Sequence, residues 1–168
     1  MKPTKRSKLL HIASFFPTLV LLSIIFGFSA QNGTASGSLS YQLSLFLVKM
    51  FSPFLPTMLS EDTLLLRADA IHLLIRKAAH MTEFFLLTLS IHLPLKVYLQ
   101  EKLSFSKRLL LAFLCSVLFA ATDEFHQTMV PGRSGNITDV CIDSIGALFA
   151  TVMLWIFSRC IYTKKSTL

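Results

Sequence analysis

The chain has 168 residues, of which 53% are hydrophobic and 15% charged, and its mean hydropathy is +0.62. A soluble domain usually carries about 25% charged residues, so this composition excludes an ordinary soluble protein and predicts a polytopic membrane protein with a single domain, residues 1–168. The net charge of +7 comes from basic residues beside apolar segments, and no nucleic-acid-binding motif is present. We interpret it as charge that orients the chain in a membrane, not as affinity for RNA or DNA.

The first predicted span covers residues 9–30 and follows a basic stretch at the start of the chain. Pro17 is expected to kink this helix. A cleaved signal peptide is the competing interpretation, but its apolar core would be about 20 residues long, which is more than such cores usually have. Phe28 would also occupy the small-residue position before a cut after Ala30. A retained transmembrane helix is therefore favoured.

Residues 31–74 are predicted to lie outside the cytoplasm. The run QNGTASGSLS at 31–40 predicts a Gly/Ser-rich loop. Apolar residues then recur at helical spacing from Leu43 to Phe54, with polar residues between them. This pattern predicts an amphipathic helix that lies in the membrane interface instead of crossing the membrane.

The ends of that amphipathic helix and of the later helices are predicted from punctuating residues. The remaining spans are predicted at 75–93, 109–130 and 139–161. Pro53 and Pro56 are expected to end the amphipathic helix. The helix that holds the second span is expected to begin near Ser60 and to stop near Pro94. Thr138 is predicted to be the N-cap of the last span.

The distribution of basic residues predicts the orientation of these four spans. If the N-terminus lies in the cytoplasm, most of the 16 Lys and Arg residues fall on the inner side. That bias is what the positive-inside rule requires. The sequence therefore predicts an all-α fold: a bundle of four transmembrane helices with one interfacial amphipathic helix outside and both termini in the cytoplasm.

Polar residues interrupt the apolar pattern at the predicted outer ends of three spans, where charge is expensive and usually functional. They are Arg76, Lys77, His80 and Glu83 on the second span, Asp123, Glu124, His126 and Gln127 on the third, and Asp139 and Asp143 on the fourth. Arg76, His80 and Glu83 follow helical spacing and therefore share one helix face. Gly146, one turn beyond Asp143, fits a close approach between helices.

A structural explanation of these charges is that they neutralise one another and fix the helix packing. Arg76, Lys77 and Arg133 would then pair with the nearby carboxylates. An unpaired charge deep in a span costs roughly 2.5–3.5 kcal/mol on insertion scales. Apolar residues could pack the same helices without that cost, so a functional cluster is the favoured interpretation.

Two chemistries fit such a cluster. In the first, the carboxylates and histidines form a general acid–base set or bind a divalent metal such as Zn²⁺ or Mn²⁺. The candidate catalytic residues are His80, Glu83, Asp123 and His126, and the candidate metal ligands are these four and Asp143. No sequence spacing typical of a known metal site supports this chemistry, so the cofactor stays open.

In the second chemistry, a cationic clamp binds phosphate or carboxylate, which arginine recognises with two parallel hydrogen bonds. The candidate ligand-binding residues are Arg76, Lys77, Gln127, Arg133, Asp139 and Asp143. A ligand that meets such a clamp at the membrane surface would carry phosphate and an apolar tail. A membrane lipid or a lipid-linked envelope intermediate has this chemistry.

Five segments of the chain resemble the VanZ-like family of bacterial membrane proteins. They are FSAQNGTASGSLS after the first span, RKAAHMTEF at 76–84, DEFHQ at 123–127, PGRSG at 131–135 and TDVCIDSIG at 138–146. The resemblance implies a multi-pass protein of the bacterial cytoplasmic membrane with a role in the cell envelope. The family takes its name from a member associated with resistance to glycopeptide antibiotics of the teicoplanin type, and the resemblance supplies no mechanism.

The leading hypothesis is a cell-envelope protein that binds or modifies an anionic lipid or lipid-linked cell-wall component at the outer leaflet. Whether it is an enzyme stays open, and a binding or shielding protein without turnover is the first alternative. A small transporter or proton pathway with Glu83 and Asp143 as its relay is the second. It is disfavoured because the inner halves of the last three spans are almost free of ionisable residues.

Overall fold

The computed structural model describes residues 5–54 and 60–166, and within these ranges the regular structure is entirely helical. The helices are α1 (Lys5–Ala13), α2 (Phe16–Ser29), α3 (Gly33–Phe51), α4 (Glu61–Leu99), α5 (Phe105–Gln127) and α6 (Ile137–Ser166), with a short 3₁₀ turn at Ser52–Phe54. The all-α prediction is confirmed. Pro56, which was expected to help end the amphipathic helix, lies outside the described residues.

Among the described residues, three segments are long and apolar enough to cross a membrane, by length and composition: Leu9–Ser29, Phe105–Gln127 and Ile137–Cys160. They correspond to the first, third and fourth predicted spans. The second predicted span, 75–93, lies within α4, which is not among these candidates. Helix α4 has 39 residues, so it is about 60 Å long, roughly twice the thickness of a bilayer's hydrocarbon core.

The kink predicted in the first apolar segment is present as a break between α1 and α2. Helix α1 ends at Ala13, and α2 begins at Phe16 with Pro17 in its first turn. Proline is tolerated there because the first N–H groups of a helix have no partner within the helix. Ser14, between the two helices, still donates its N–H to the carbonyl of Leu10 at 3.1 Å.

The prediction of a loop at 31–40 is wrong, because α3 begins at Gly33. Asn32 caps the helix, and its side chain accepts the N–H of Ala35 at 2.8 Å. Two serines of this stretch donate to carbonyls of the preceding turn: Ser38 to Ala35 at 2.8 Å and Ser40 to Gly37 at 2.9 Å. These local hydrogen bonds are compatible with a helix, although Gly and Ser are usually typical of loops.

The amphipathic character of α3 is present, and its polar face is the one that packs inside the protein. Ser40 and Ser44 are buried, whereas Leu43 and Phe46 are about half exposed, at 47% and 60%. The helix packs against α4. Its small residues therefore face the protein, and its large apolar side chains face outwards, as in helices whose surroundings are lipid.

Two predicted helix boundaries are also wrong. Helix α4 continues through the buried Pro94 to Leu99, because an interior proline removes a single backbone hydrogen bond and the surrounding packing can hold the helix together. Thr138 is not the cap of α6, because the helix starts at Ile137. Asn136 takes that role: its side chain accepts the N–H of Thr138 at 3.1 Å, and its carbonyl accepts that of Asp139 at 2.9 Å.

Helix α4 lies at the centre of the arrangement and packs against α2, α3, α5 and α6. A small core forms where Ile25 of α2, Phe84 and Leu87 of α4 and Ala120 of α5 meet, all fully buried. Gly146 of α6 faces the backbone of Met81, and a Cβ atom at position 146 would overlap the Met81 carbonyl. The close helix approach predicted at Gly146 is confirmed, and it holds α6 against the part of α4 that carries polar side chains.

Replacing Gly146 with alanine is expected to destabilise the protein, although alanine is the better helix former by about 1 kcal/mol. The added methyl group would push α6 away from α4, and overpacking of this kind typically costs about 1–3 kcal/mol. Thermal unfolding of the purified protein in detergent would measure the loss. Gly37→Ala in α3 is the matched control, since a Cβ atom there would meet open space. Equal melting temperatures for both variants would contradict the packing described here.

Candidate functional site

A polar cavity of about 160 Å³ lies between α4, the α5–α6 connection and α6. Its charged and polar lining residues are Arg76, Lys77, His80, Glu124, Gln127, Arg133, Ser134, Asp139 and Asp143. The structure thus places all six residues expected to bind a ligand around one space. We call it the polar cavity.

Arg133 forms one wall of the polar cavity and ties the connection between α5 and α6 to the rest of the protein. Its Nη1 donates to the carbonyl of Ser29 at 2.9 Å, and its Nη2 donates to Ser36 Oγ at 2.9 Å. Burial lowers the pKa of Arg133, and Arg76 adds to the lowering, whereas Asp123 and Glu124 oppose it. The guanidinium therefore holds the C-terminal end of α2 and the first turn of α3 in place. The same side chain lines the cavity.

Gly33 and Gly132 bring the same two parts of the chain together through the backbone. Gly33 donates its N–H to the carbonyl of Pro131 at 3.1 Å, and a Cβ atom at position 33 would overlap the carbonyl of Gly132. Gly132 itself has φ +73°, a conformation that favours glycine. The start of α3 and the PGR turn therefore form one unit, which explains why Arg133 can reach Ser36.

Asp123 and Gln127 connect α5 to the end of α2. The buried Asp123 accepts hydrogen bonds at Oδ2 from Ser29 Oγ at 2.6 Å and from Gln127 Nε2 at 2.9 Å. Gln127 also lines the polar cavity, whereas Asp123 does not. Asp123 therefore lies behind the cavity wall, where its Oδ2 is bonded to Ser29 and Gln127.

Glu124 was recognised in the sequence as one of the polar residues but not as a site residue. Its Oε2 accepts the N–H of Asn136 at 2.9 Å, next to the start of α6. Gly135 allows this contact, because a Cβ atom there would lie 2.5 Å from the Glu124 carbonyl. Glu124 lines the cavity and holds the start of α6 in place. Nothing in the sequence spacing between DE at 123–124 and PGRSG at 131–135 predicted the hydrogen bond between Glu124 and Asn136.

Lys77 and Asp139 form an ion pair at the rim of the polar cavity. Lys77 Nζ lies 3.1 Å from Asp139 Oδ1, and both side chains are more than a third exposed. An exposed pair of this kind contributes at most about 1 kcal/mol to stability. Its main consequence is that Lys77 is already partly neutralised, whereas Arg76 and Arg133 form no ion pair within the described residues.

The four candidate catalytic residues make different contacts in the structure. His80 Nδ1 and Glu83 Oε2 are 3.7 Å apart, which is too long for a hydrogen bond. Asp123 is bonded to Ser29 as described, and His126 stacks on Phe26 with ring centroids 4.6 Å apart. His126 lines neither the polar cavity nor the apolar groove described in the next paragraph. Among the described residues, no three His, Cys, Asp or Glu side chains are arranged to hold a metal ion.

An apolar groove of about 290 Å³ adjoins the polar cavity. It lies between the end of α2, α3 and α4, and its lining includes Phe28, Leu39, Leu43, Ile75 and Ala79. We call it the apolar groove. Arg76, His80 and Arg133 line both spaces, so two cations and a histidine stand where the polar cavity meets the apolar groove.

Two charged side chains of the polar cavity have no partner in the described part of the chain. Arg76 forms neither a hydrogen bond nor an ion pair there. Asp143 is 1% exposed, and neither of its carboxylate oxygens has a hydrogen-bond partner. Buried polar groups are nearly always hydrogen-bonded, so an unsatisfied carboxylate and a free guanidinium in one cavity indicate a binding site.

Apolar helices of spanning length around a charged cavity define a membrane protein with an internal polar site. The chain belongs to the VanZ/LLP1 family, whose family model matches residues 14–158. This confirms the resemblance seen in the sequence motifs. Neither a curated protein nor a solved structure matches the chain significantly.

Proposed function

We propose that this VanZ-like membrane protein binds an anionic lipid or lipid-linked cell-wall component at the outer leaflet. The observation that carries the proposal is the junction of the polar cavity and the apolar groove at Arg76, His80 and Arg133. Guanidinium groups recognise phosphate with paired, charge-assisted hydrogen bonds. A ligand with its phosphate at the junction and its hydrocarbon chain in the groove would satisfy both spaces.

The experiment for this proposal compares two short-chain lipids with the same acyl chains, of which only one carries a phosphodiester head group. Purified protein in detergent is titrated with dihexanoyl phosphatidylglycerol and with dihexanoylglycerol. We expect saturable binding of the phospholipid and much weaker binding of the neutral lipid. Equal affinity for the phospholipid and the neutral lipid would contradict the proposed role of Arg76 and Arg133 in phosphate binding.

The proposal includes the topology predicted from the sequence: four spans, with 75–93 of α4 as the second, α3 in the outer interface and both termini in the cytoplasm. The outward-facing apolar side chains of α3 support this arrangement, because they suit contact with lipid. A 39-residue α4 can cross a bilayer and still extend well beyond its outer face. The polar cavity then lies near the outer surface.

This topology predicts which introduced cysteines react from outside the cell. After replacement of Cys115, Cys141 and Cys160, Met129→Cys lies in the exposed α5–α6 connection and Lys102→Cys in the exposed α4–α5 connection. A membrane-impermeant maleimide should label position 129 in intact cells and position 102 only after lysis. The reverse pattern would contradict the orientation.

We propose binding without turnover as the version of this function. An acid–base mechanism would need its groups around one reacting atom. His80 and Glu83 border the apolar groove, whereas Asp123 is bonded to Ser29 and His126 is stacked on Phe26. The ligand is therefore proposed to be held and shielded at the outer leaflet, and no chemical step is assigned to these residues.

A link to glycopeptide resistance is proposed on the same basis. A protein that shields a lipid-linked wall component would reduce the access of a teicoplanin-type drug to it. Expression in a susceptible bacterium should raise the inhibitory concentration of teicoplanin, and the Arg76→Ala variant at the same membrane level should not. An unchanged inhibitory concentration with wild-type protein would contradict a role of this protein in teicoplanin resistance.

A further inference from the structure

Asp143 is the least satisfied charged side chain of the polar cavity. It lies on α6, one turn after Asp139, and is 1% exposed. Both of its oxygens are buried and lack a hydrogen-bond partner within the described residues, and the residue lines the polar cavity between α4 and α6. A carboxylate in this position usually pairs with a cation or accepts N–H and O–H groups.

The neighbouring cations do not satisfy Asp143. Lys77 is paired with Asp139 at 3.1 Å, and Arg133 donates to Ser29 and Ser36. Arg76, on the α4 side of the same cavity, has no ion-pair partner in the described part of the chain. The cation of Arg76 and the carboxylate of Asp143 thus both line one cavity, and neither neutralises the other.

A ligand that carries only phosphate would satisfy Arg76 and leave Asp143 unsatisfied, and it would place a second negative charge near that carboxylate. A head group that also carries a hydrogen-bond donor would satisfy both. The donor must be an ammonium or a hydroxyl close to the phosphate, because the cavity holds only about 160 Å³. Charged hydrogen bonds of this kind are strong when they are made in a water-poor site.

We propose that Asp143 selects, among phosphate-bearing lipids, those whose head group presents an N–H or O–H donor beside the phosphate. This inference rests on the proposed lipid-binding function and adds the class of head group. Arg76 binds the phosphate, and Asp143 accepts the donor. The donor can come from an amino head group or from a hydroxylated one such as a glycerol or a sugar.

The experiment uses three dihexanoyl phospholipids with the same tails and the same phosphodiester. Phosphatidylmethanol has no donor, phosphatidylglycerol has hydroxyl groups, and phosphatidylethanolamine has an ammonium. We expect the full-length protein in detergent to bind at least one of the last two about tenfold more tightly than phosphatidylmethanol, which is the order of one charge-assisted hydrogen bond. The tighter of the two identifies the source of the donor.

Asp143→Asn should lose this preference, so that the ratio of its affinities for the three lipids approaches one. Its melting temperature should be unchanged or higher, because the substitution removes an unsatisfied buried charge. Equal affinity of the wild-type protein for all three lipids would overturn the inference without a variant, and so would a preference that survives in Asp143→Asn. Absence of binding to every phospholipid would instead refute the lipid-binding function itself.

Discussion

Arg76→Ala is expected to weaken phosphatidylglycerol binding by at least tenfold and to leave the fold intact. Arg76 borders both the polar cavity and the apolar groove, and it has no ion-pair or hydrogen-bond partner in the described part of the chain. Its removal therefore breaks no hydrogen bond or ion pair within the described part of the protein. Loss of a charged hydrogen bond to the ligand corresponds to about 1.5–3 kcal/mol, which is roughly ten- to a hundredfold in affinity. Titration of the purified protein with the short-chain lipid measures it.

Arg67→Ala is the matched control for Arg76→Ala. Arg67 is also on α4, carries the same charge and is exposed away from both spaces. Its loss should change affinity little if binding depends on the position of the guanidinium. Arg76→Lys should lie between the wild type and Arg76→Ala, because lysine keeps the charge but not the planar fork. Equal losses of affinity in Arg67→Ala and Arg76→Ala would show that binding depends on net charge and not on the position of Arg76.

Arg133→Ala is expected to reduce both stability and lipid binding. The guanidinium joins the α5–α6 connection to the carbonyl of Ser29 and the hydroxyl of Ser36, so its removal frees the ends of α2 and α3. Each hydrogen bond to a charged group contributes about 1.5–3 kcal/mol to stability. The melting temperature should fall by several degrees, and affinity for phosphatidylglycerol should fall at least as far as in Arg76→Ala.

Two variants separate the structural and the binding roles of Arg133. Ser36→Ala removes one of its hydrogen bonds without changing charge, so it should lower the melting temperature by less than Arg133→Ala does. Arg133→Lys keeps the positive charge at the junction and should recover part of the affinity, with little recovery of stability. Normal stability in Arg133→Ala would show that these contacts do not hold the connection in place.

The sequence was sufficient to predict the family, the helical fold and most of the polar residues around the cavity. Helical spacing places Arg76 and His80 on one face of α4, and chain order places Arg133 and Asp139 near the start of α6. These relations depend on local geometry and on the turn between α5 and α6. They do not require knowledge of how the helices rotate against each other.

The contacts of Asp123 and His126 could not be predicted in the same way. The two residues are three positions apart on α5, so they are close in angle around the helix. Small differences in helix rotation decide whether such residues face the polar cavity or α2. In the structure Asp123 binds Ser29 and His126 stacks on Phe26, and both contacts depend on the position of the end of α2.

The prediction of a loop at 31–40 was wrong because it used only the Gly/Ser composition of this stretch. It did not consider the tertiary contacts that these residues make. Gly33 is needed where the backbone meets Gly132, and Ser36 is needed as an acceptor for Arg133. Ser40 and Ser44 are small residues that face the inside of the protein. Each of these residues has a tertiary reason to be in a helix, and no local pattern in the sequence reveals it.

The measurement that tests the lipid site most directly is photo-crosslinking with a phosphatidylglycerol that carries a diazirine in its acyl chain. Crosslinked peptides from the full-length protein are mapped by mass spectrometry, with and without excess unlabelled phosphatidylglycerol. The site predicts crosslinks that competitor removes on the walls of the apolar groove, at Leu39, Leu43 and Ile75, and these should be lost in Arg76→Ala. Crosslinks spread over the exposed faces of α5 and α6, at Leu118 or Phe149, and unaffected by competitor would contradict it.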